Sequence, residues 1–496
     1  MSTPFISAQG SSGSSSNRPE APGPLMRRGP RPLLLHLTLA TLRSTVSRAT
    51  SMHWNAVSPT SSAAAVVDAL RRAAADGNRD RPGDAAFSAE VVAETLRQDA
   101  LLIEGIAAYR RHPYRRTLAD PPAVWAEGGS RLLDYGMAGG GMTGGDMTGG
   151  GMAGGGKAGG GKPGGGKAGG VPAVFVPSLV NRAYVLDLME GGSMLRWLAQ
   201  HGVRPLLLDW GWPGEAERRF TLTDYVAGRL ERALGYAASF TGGPTVLVGY
   251  CMGGTLAVAA AQRRPDLVRG LGLLAAPWDF HAGDAEQAAQ VAAMLPLLEP
   301  AMALGNALPV DLLQSLFALL DPWGVAGKYR SFARLPQDGR RARLFVALED
   351  WLNDGIPLAA EVTRACLRDW YGANTPFRGD WRIAGLAVEP RAVTMPAFVA
   401  VPAQDRIVPP GAARPLARLI PRAELHEPAA GHIGMAAGSR AETALWQPLA
   451  AWIARVAGSG VSGAGARGTG GTGVGGGGPR VPRRRPGARH GTGSAA

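Results

Sequence analysis

Cys251 stands at the junction of two contrasting runs, VLVGY before it and MGGTLAVAAAQRR after it. The first reads as a buried strand and the second as a helix, with the pattern G-x-C-x-G between them. That is the spacing of a nucleophile elbow, a sharp strand-to-helix turn that lifts a reactive side chain above the end of a sheet. Gly249 and Gly253 fit it because the bent backbone leaves their neighbours no room for a Cβ. A thiol there faces the N-terminus of the following helix, where the macrodipole favours thiolate. The backbone N–H of Met252 would point at a developing oxyanion. A bare G-x-C-x-G also suits a buried structural cysteine; the flanking strand and helix favour the nucleophile.

A nucleophilic thiol needs a base and a group that orients the base. In proteins built on such an elbow the chain order is nucleophile, acid, histidine. Asp405, in VPAQDRIVPP just after an expected strand, is the candidate acid. Asp279, in LLAAPWDF, competes for the role. His432, in the glycine-flanked segment AAGHIGM before the last helix, is the candidate base. Of the other histidines, His426 falls in a strand, His201 at a helix end and His112 in a basic turn. His281 opens a helical stretch, and His36, His53 and His490 lie in flanking segments. No HExxH or paired-cysteine spacing suggests a metal. No phosphate-binding GxxxxGK[ST] or strand-linked GxGxxG suggests a nucleotide, so no cofactor is expected.

The elements that must position these residues alternate. Strands are expected at 131–135, 173–177, 204–209, 245–249, 268–275, 397–402 and 422–426. Helices are expected at 193–201, 224–240, 254–264, 411–419 and 441–456. The pattern predicts an α/β fold with a mostly parallel sheet flanked by helices. Residues 280–379 break the alternation. Rich in Leu, Ala, Met and Pro, they read as a helical lid inserted between two strands, whose Trp323, Trp351 and Trp370 suit either ordinary core packing or the exclusion of water from a site. Upstream, a helical period over 86–111 makes residues 51–130 a helical extension.

Composition sorts the rest. Of 71 glycines, 35 fall in residues 136–170 and 457–496. Seven pentads of the type GMAGG or GKAGG fill 136–170 without a slip, which predicts a disordered loop inside the 131–456 domain. Such tracts bury too little apolar surface to offset ordering entropy of roughly 1–2 kcal/mol per residue. Loop closure costs grow only logarithmically, so the fold tolerates the insertion. Residues 1–50, 136–170 and 457–496 together carry the whole formal excess charge of +13. The first reads as a flexible basic segment and the last as a disordered Gly/Arg-rich tail. Specific nucleic-acid binding is therefore not expected, only loose, salt-sensitive contact with polyanions. Two cysteines rule out a disulfide framework and fit a reducing, cytoplasmic setting. No apolar run is long enough to span a membrane. The basic-then-apolar stretch 26–42 begins too far in and lacks a small-x-small site, so it reads as an amphipathic helix and not a secretory signal.

Several separated blocks resemble the polyhydroxyalkanoate synthases, polyester-forming enzymes of the α/β-hydrolase fold. GYCMGG is similar to their G-x-C-x-G-G. LVNRAYVLDL at 179–188 resembles their NR-x-Y-x-x-DL segment. LLLDWGWP at 206–213 and TLTDYVAG at 221–228 resemble the DWG-x-P and DY segments of the two-component synthases. TMPAFVAVPAQDRIVPP and GHIGM match the acid and histidine blocks. The resemblance covers roughly 171–455 and implies Cys251 as acyl-bearing nucleophile, His432 as base and Asp405 as its partner. It also implies an oxyanion hole from the backbone of Met252 and of Leu179 or Val180. The implied substrate is a 3-hydroxyacyl-CoA thioester, polymerised with release of coenzyme A. The implied partners are the growing polyester chain, its granule surface, and either a second copy of the chain or a separate synthase subunit. A thioesterase or intracellular polyester depolymerase would use the same three residues, and a granule-binding protein with an inactive site is a third reading. Residues 1–130, the pentads and the tail have no counterpart in that family pattern.

Overall fold

The computed structural model describes residues 27–52, 84–137, 169–320 and 322–459. Eight strands form the central sheet: β1 (Ala123–Glu127), β2 (Ser130–Asp134), β3 (Val171–Val176), β4 (Val203–Asp209), β5 (Thr245–Tyr250), β6 (Val268–Leu274), β7 (Ala397–Ala400) and β8 (Ala423–His426). Their spatial order is β1-β2-β4-β3-β5-β6-β7-β8. Only β2 runs against the others, pairing antiparallel with both β1 and β4. The inner strands are buried throughout, as a parallel sheet covered on both faces requires.

Successive residues of one strand feed opposite layers. Val174 and Leu247 pack with Leu234, Leu256 and Leu416 on one face. Phe175, Val246 and Val248 pack with Leu195, Leu198, Leu449 and Trp452 on the other. This period of two lets a single strand nucleate both layers. The helices are those the alternation calls for: Met194–Gln200, Glu231–Thr241, Met252–Arg263, Pro410–Leu419 and Gln447–Ser459.

Register sets the functional edge. Val176 lies opposite Gly249, Tyr250 opposite Leu274, Leu274 opposite Ala400, and Ala400 opposite His426. The carboxyl ends of five strands are thus level, and the loops leaving them share one rim, where open α/β sheets bind ligands.

Between β6 and β7 the chain runs through a series of short helices, among them Leu295–Ala303, Val310–Leu320, Gly324–Ala333 and Arg340–Asn353. Leu298, Met302, Leu313 and Trp370 from this insertion join the sheet's own core. Trp351 and Trp370 are buried, but Trp323 is 47% exposed, so neither core packing nor shielding of the site describes it.

Two further expectations change. Residues 1–50 are not a flexible segment throughout. Leu33–Met52 is a helix that buries His36, Ala40 and Ser44. The buried Arg27 binds Asp350 with both guanidinium arms, at 2.6 and 2.7 Å. The helix pairs with Asp84–Arg111 over a small core of Leu102, Ile106, Tyr109, Tyr329 and Phe332. Part of the excess basic charge is therefore structural. Nor is the 51–130 extension all helix, because Ala123–Glu127 is a strand of the sheet. It is an edge strand with an irregular burial pattern, which hides the alternation that would reveal it. The pentads between Met137 and Gly169, and the tail beyond Ser459, lie outside the described residues.

Candidate active site

At the end of β5 the backbone turns through Cys251 at φ 55°, ψ −131°, and the helix Met252–Arg263 begins at the next residue. Few residues other than glycine hold a positive φ, so this turn is strained and fixed by its surroundings. The Cys251 N–H donates to the Leu274 carbonyl at 2.8 Å, and the Gly254 N–H donates to the Cys251 carbonyl at 2.8 Å. A Cβ on Gly249 would lie 2.4 Å from the Gly254 Cα. One on Gly253 would lie 2.2 Å from the Val176 carbonyl oxygen and 2.5 Å from that of Pro177. The elbow can close only because both positions lack a side chain. It presses directly against the loop that leaves β3.

His432 opens a short helix, His432–Ala437, capped by Gly431. Sequence reading placed this residue in a loop; the glycines at 431 and 434 mask the helix, which forms because Met435, Ala436 and Ala437 bury against the sheet. The His432 Nδ1–H donates to Asp405 Oδ2 at 2.7 Å. Asp405 is held in turn, its Oδ1 accepting the N–H groups of Ile407 at 2.9 Å and Val408 at 2.8 Å. With Nδ1 engaged by the carboxylate, the ring's other nitrogen is left for Cys251, whose sulfur lies near enough to act on the imidazole. Burial alone would lower the His432 pKa. The sulfur of Cys251, the hydrogen bonds to Asp405 and Cys251, and the Asp405 charge outweigh it and raise the value to about 10. The three candidates from distant parts of the chain thus converge, with His432 set between the Asp405 carboxyl and the Cys251 sulfur.

Asp279 does not take part. Its Oδ1 accepts the Asn374 side-chain amide at 2.8 Å and the His281 N–H at 3.1 Å, locking a turn. His281 is turned to the Tyr371 carbonyl, 2.7 Å away. His426 approaches the Ala444 carbonyl at 2.6 Å, His201 the Trp197 carbonyl and His112 the Gln337 carbonyl. Each of these rings is engaged with a backbone carbonyl. Cys366 is half-buried, and desolvation, then Asp369, push its thiol pKa up to about 12. It is poorly suited to act as a nucleophile.

The two segments expected to bear oxyanion donors meet beside the elbow. Met252 is the first helical residue, so its N–H has no intrahelical acceptor. Leu179 is buried in the same cluster as Met252. The Val180 N–H already donates to Ser178 Oγ at 3.2 Å, so an oxyanion would share it with that hydroxyl. Two groups went unnoticed in the sequence. Tyr250 donates its hydroxyl to the His432 carbonyl at 3.3 Å, with ring centroids 5.1 Å apart. The Tyr371 phenol is pushed well up by burial, then by the nearby sulfurs of Cys366 and Cys251. No periodic signal marks either residue, since their importance comes from contacts across the fold.

Among the described residues no group of three or more His, Cys, Asp and Glu side chains converges as a metal site would, and no helix is long and apolar enough to cross a membrane. The family described as "alpha/beta hydrolase fold" matches residues 174–438. The poly(3-hydroxyalkanoate) polymerase subunit PhaC of Haloferax mediterranei is 33% identical over 291 residues, which cover 57% of this chain and 58% of that protein. The corresponding subunit of Allochromatium vinosum is 32% identical over 281 residues, 56% of this chain and 78% of that protein. That of Synechocystis sp. is 30% identical, over 56% of this chain and 75% of that protein. With its elbow, its strand order and these relatives, the chain belongs to the poly(3-hydroxyalkanoate) polymerase PhaC family on an α/β-hydrolase fold.

Proposed function

We propose that the protein is an acyltransferase that polymerises 3-hydroxyacyl groups from coenzyme A thioesters through Cys251. The observation that carries this reading is the convergence of Cys251, His432 and Asp405 at the rim of the sheet, with His432 Nδ1 hydrogen-bonded to Asp405. In the resting site the sulfur attacks the thioester carbonyl, forming a new C–S bond and breaking the bond to coenzyme A. His432 gives its proton to the departing sulfur. One thioester is exchanged for another, so little free energy is lost.

Acylation removes the influence of the Cys251 sulfur, the largest of those that raise the His432 pKa, so the imidazole gives up its proton more readily and can accept that of the next unit's hydroxyl. That oxygen attacks the acyl carbon and Cys251 leaves as thiolate, which restores the imidazolium. Backbone N–H groups of Met252 and of the Leu179–Val180 loop would stabilise both oxyanions. On this reading the enzyme works in the cytoplasm at the surface of its insoluble product.

The test is incubation with 3-hydroxybutyryl-CoA while following coenzyme A release, polymer, and the mass of the Cys251 peptide. Polymer with an acyl adduct on Cys251 supports the reading. Free hydroxy acid as the sole product overturns it in favour of a thioesterase.

A further inference from the structure

The β3 loop proposed to bear oxyanion donors is pinned at both ends by tryptophan indoles. Trp210 Nε1 donates to the Pro177 carbonyl at 3.0 Å, and Trp351 Nε1 donates to the Arg182 carbonyl at 2.7 Å. Trp210 belongs to the sheet domain, but Trp351 lies in the last turn of the helix Arg340–Asn353 of the insertion. Further ties run the same way. Asn181 forms an antiparallel bridge with Gly355. Gln314 Nε2 donates to Asn181 Oδ1 at 3.3 Å and to the Leu352 carbonyl at 3.2 Å.

The end of that helix is itself gripped by the N-terminal segment. Arg27 holds Asp350 with two bonds and donates to the His112 carbonyl at 2.5 Å. Arg31 pairs with Asp311 and donates to the Asn353 carbonyl at 3.2 Å. Tyr109 donates to Asp350 at 2.9 Å and accepts from the Asn353 amide at 3.0 Å. Residues 350, 351 and 353 thus share one helical turn, held by the N-terminal segment and holding the loop beside the nucleophile.

We infer that the N-terminal segment is a brace for the oxyanion loop: Arg27 and Arg31 fix the end of the Arg340–Asn353 helix, and Trp351 transmits that position to Arg182 and the Leu179–Val180 backbone. Trp351, Gln314 and Arg27 are positioning residues for acyl transfer. The inference rests on the acyltransferase reading. It adds a function for the N-terminal residues, which precede the sheet and lie outside the α/β-hydrolase match.

The experiment compares Trp351→Phe, Gln314→Leu, Arg27→Met and Arg27→Lys with the wild type in the full chain. Single-turnover coenzyme A release from 3-hydroxybutyryl-CoA reports acylation, which uses the oxyanion donors. Alkylation of Cys251 by iodoacetamide, followed by mass, reports the thiol and His432 and needs no oxyanion donor.

Trp351→Phe should slow acylation about tenfold, a fraction of the roughly 10²–10³ lost when an oxyanion donor is deleted outright. KM and the alkylation rate should stay at wild-type values. Gln314→Leu and Arg27→Met should show the same signature more weakly, and Arg27→Lys should recover part of the rate. They also carry the test should Trp351→Phe not fold. Acylation unchanged in these variants, or alkylation falling in parallel with it, overturns the brace while leaving the polymerase reading intact. A wild-type enzyme that alkylates but never acylates overturns that reading, and the brace with it.

Discussion

Asp405 Oδ2 lies 2.7 Å from His432 Nδ1, and the second oxygen of the same carboxylate is tied to two backbone N–H groups. This double anchoring fixes the ring's plane and leaves its far nitrogen for Cys251. An amide at position 405 could still fill the space, but it would present either a neutral acceptor or a donor to a ring that carries a proton on Nδ1. Asp405→Asn should therefore lower turnover by about 10²–10⁴-fold, the scale at which losing the orienting carboxylate disables a triad. Asp279→Asn should leave the rate near wild type, since that carboxylate serves a turn with Asn374 and His281. Equal losses in the two variants, measured as coenzyme A release, would contradict the assignment of Asp405.

Sulfur at position 251 matters for the second half of the cycle as well as the first. A serine ester is a poorer acyl donor than a thioester, and a hydroxyl there would have to be deprotonated by a ring that the present site holds as imidazolium. Cys251→Ser should fold and lose turnover by orders of magnitude. A serine variant that polymerises at the wild-type rate would remove the chemical reason for a thiol at the elbow.

Much of this arrangement was legible in the chain because it depends on local rules. The buried run before Cys251, the small residues around it and the helix after it state the elbow directly, and Asp405 follows its strand closely. What escaped depends on contacts between distant residues. Ala123–Glu127 is an edge strand, exposed enough to lose its alternation. Arg27 reads as one more flanking basic residue until Asp350, 323 positions away, is folded onto it. The helix at His432 is hidden by the glycines that cap and punctuate it, although its alanines are buried. Trp351 and Trp370 are as buried as expected, but Trp351 uses its indole to hold a backbone carbonyl, which no composition-based argument for a greasy lid anticipates.

Gly253 offers a test of the elbow that is independent of acid–base chemistry. Its φ is not in the left-handed region and it lies inside a helix, where alanine is ordinarily stabilising by about 0.4–1 kcal/mol. Here an added Cβ would sit 2.2 Å from one carbonyl oxygen and 2.5 Å from another, both backbone atoms of the β3 exit. Neither can swing away as a side chain can. Gly253→Ala should destabilise the protein by about 1–3 kcal/mol, the usual cost of overpacking a core. It should also slow acylation by moving the Met252 N–H away from the β3 loop. A urea melt showing equal or greater stability would mean that the helix and the β3 loop are not in the contact described.

The proton on His432 makes a prediction about stability. Its pKa is about 10 in the folded protein against an ordinary 6.5, so between those values the native state holds a proton that the unfolded chain has released. Stability from this source is fully present below about 6.5 and is lost as pH rises through about 10. Burial opposes the proton, and the Cys251 sulfur is the largest influence favouring it. Urea midpoints of wild type and His432→Gln, measured from pH 6 to about 10.5, should converge as pH rises, with groups common to both cancelling in the difference. In a Cys251→Ala background the same pair should converge at lower pH, because the largest influence raising the His432 pKa is gone. A wild-type advantage independent of pH across that range would contradict the raised His432 pKa on which the proton transfers proposed above depend.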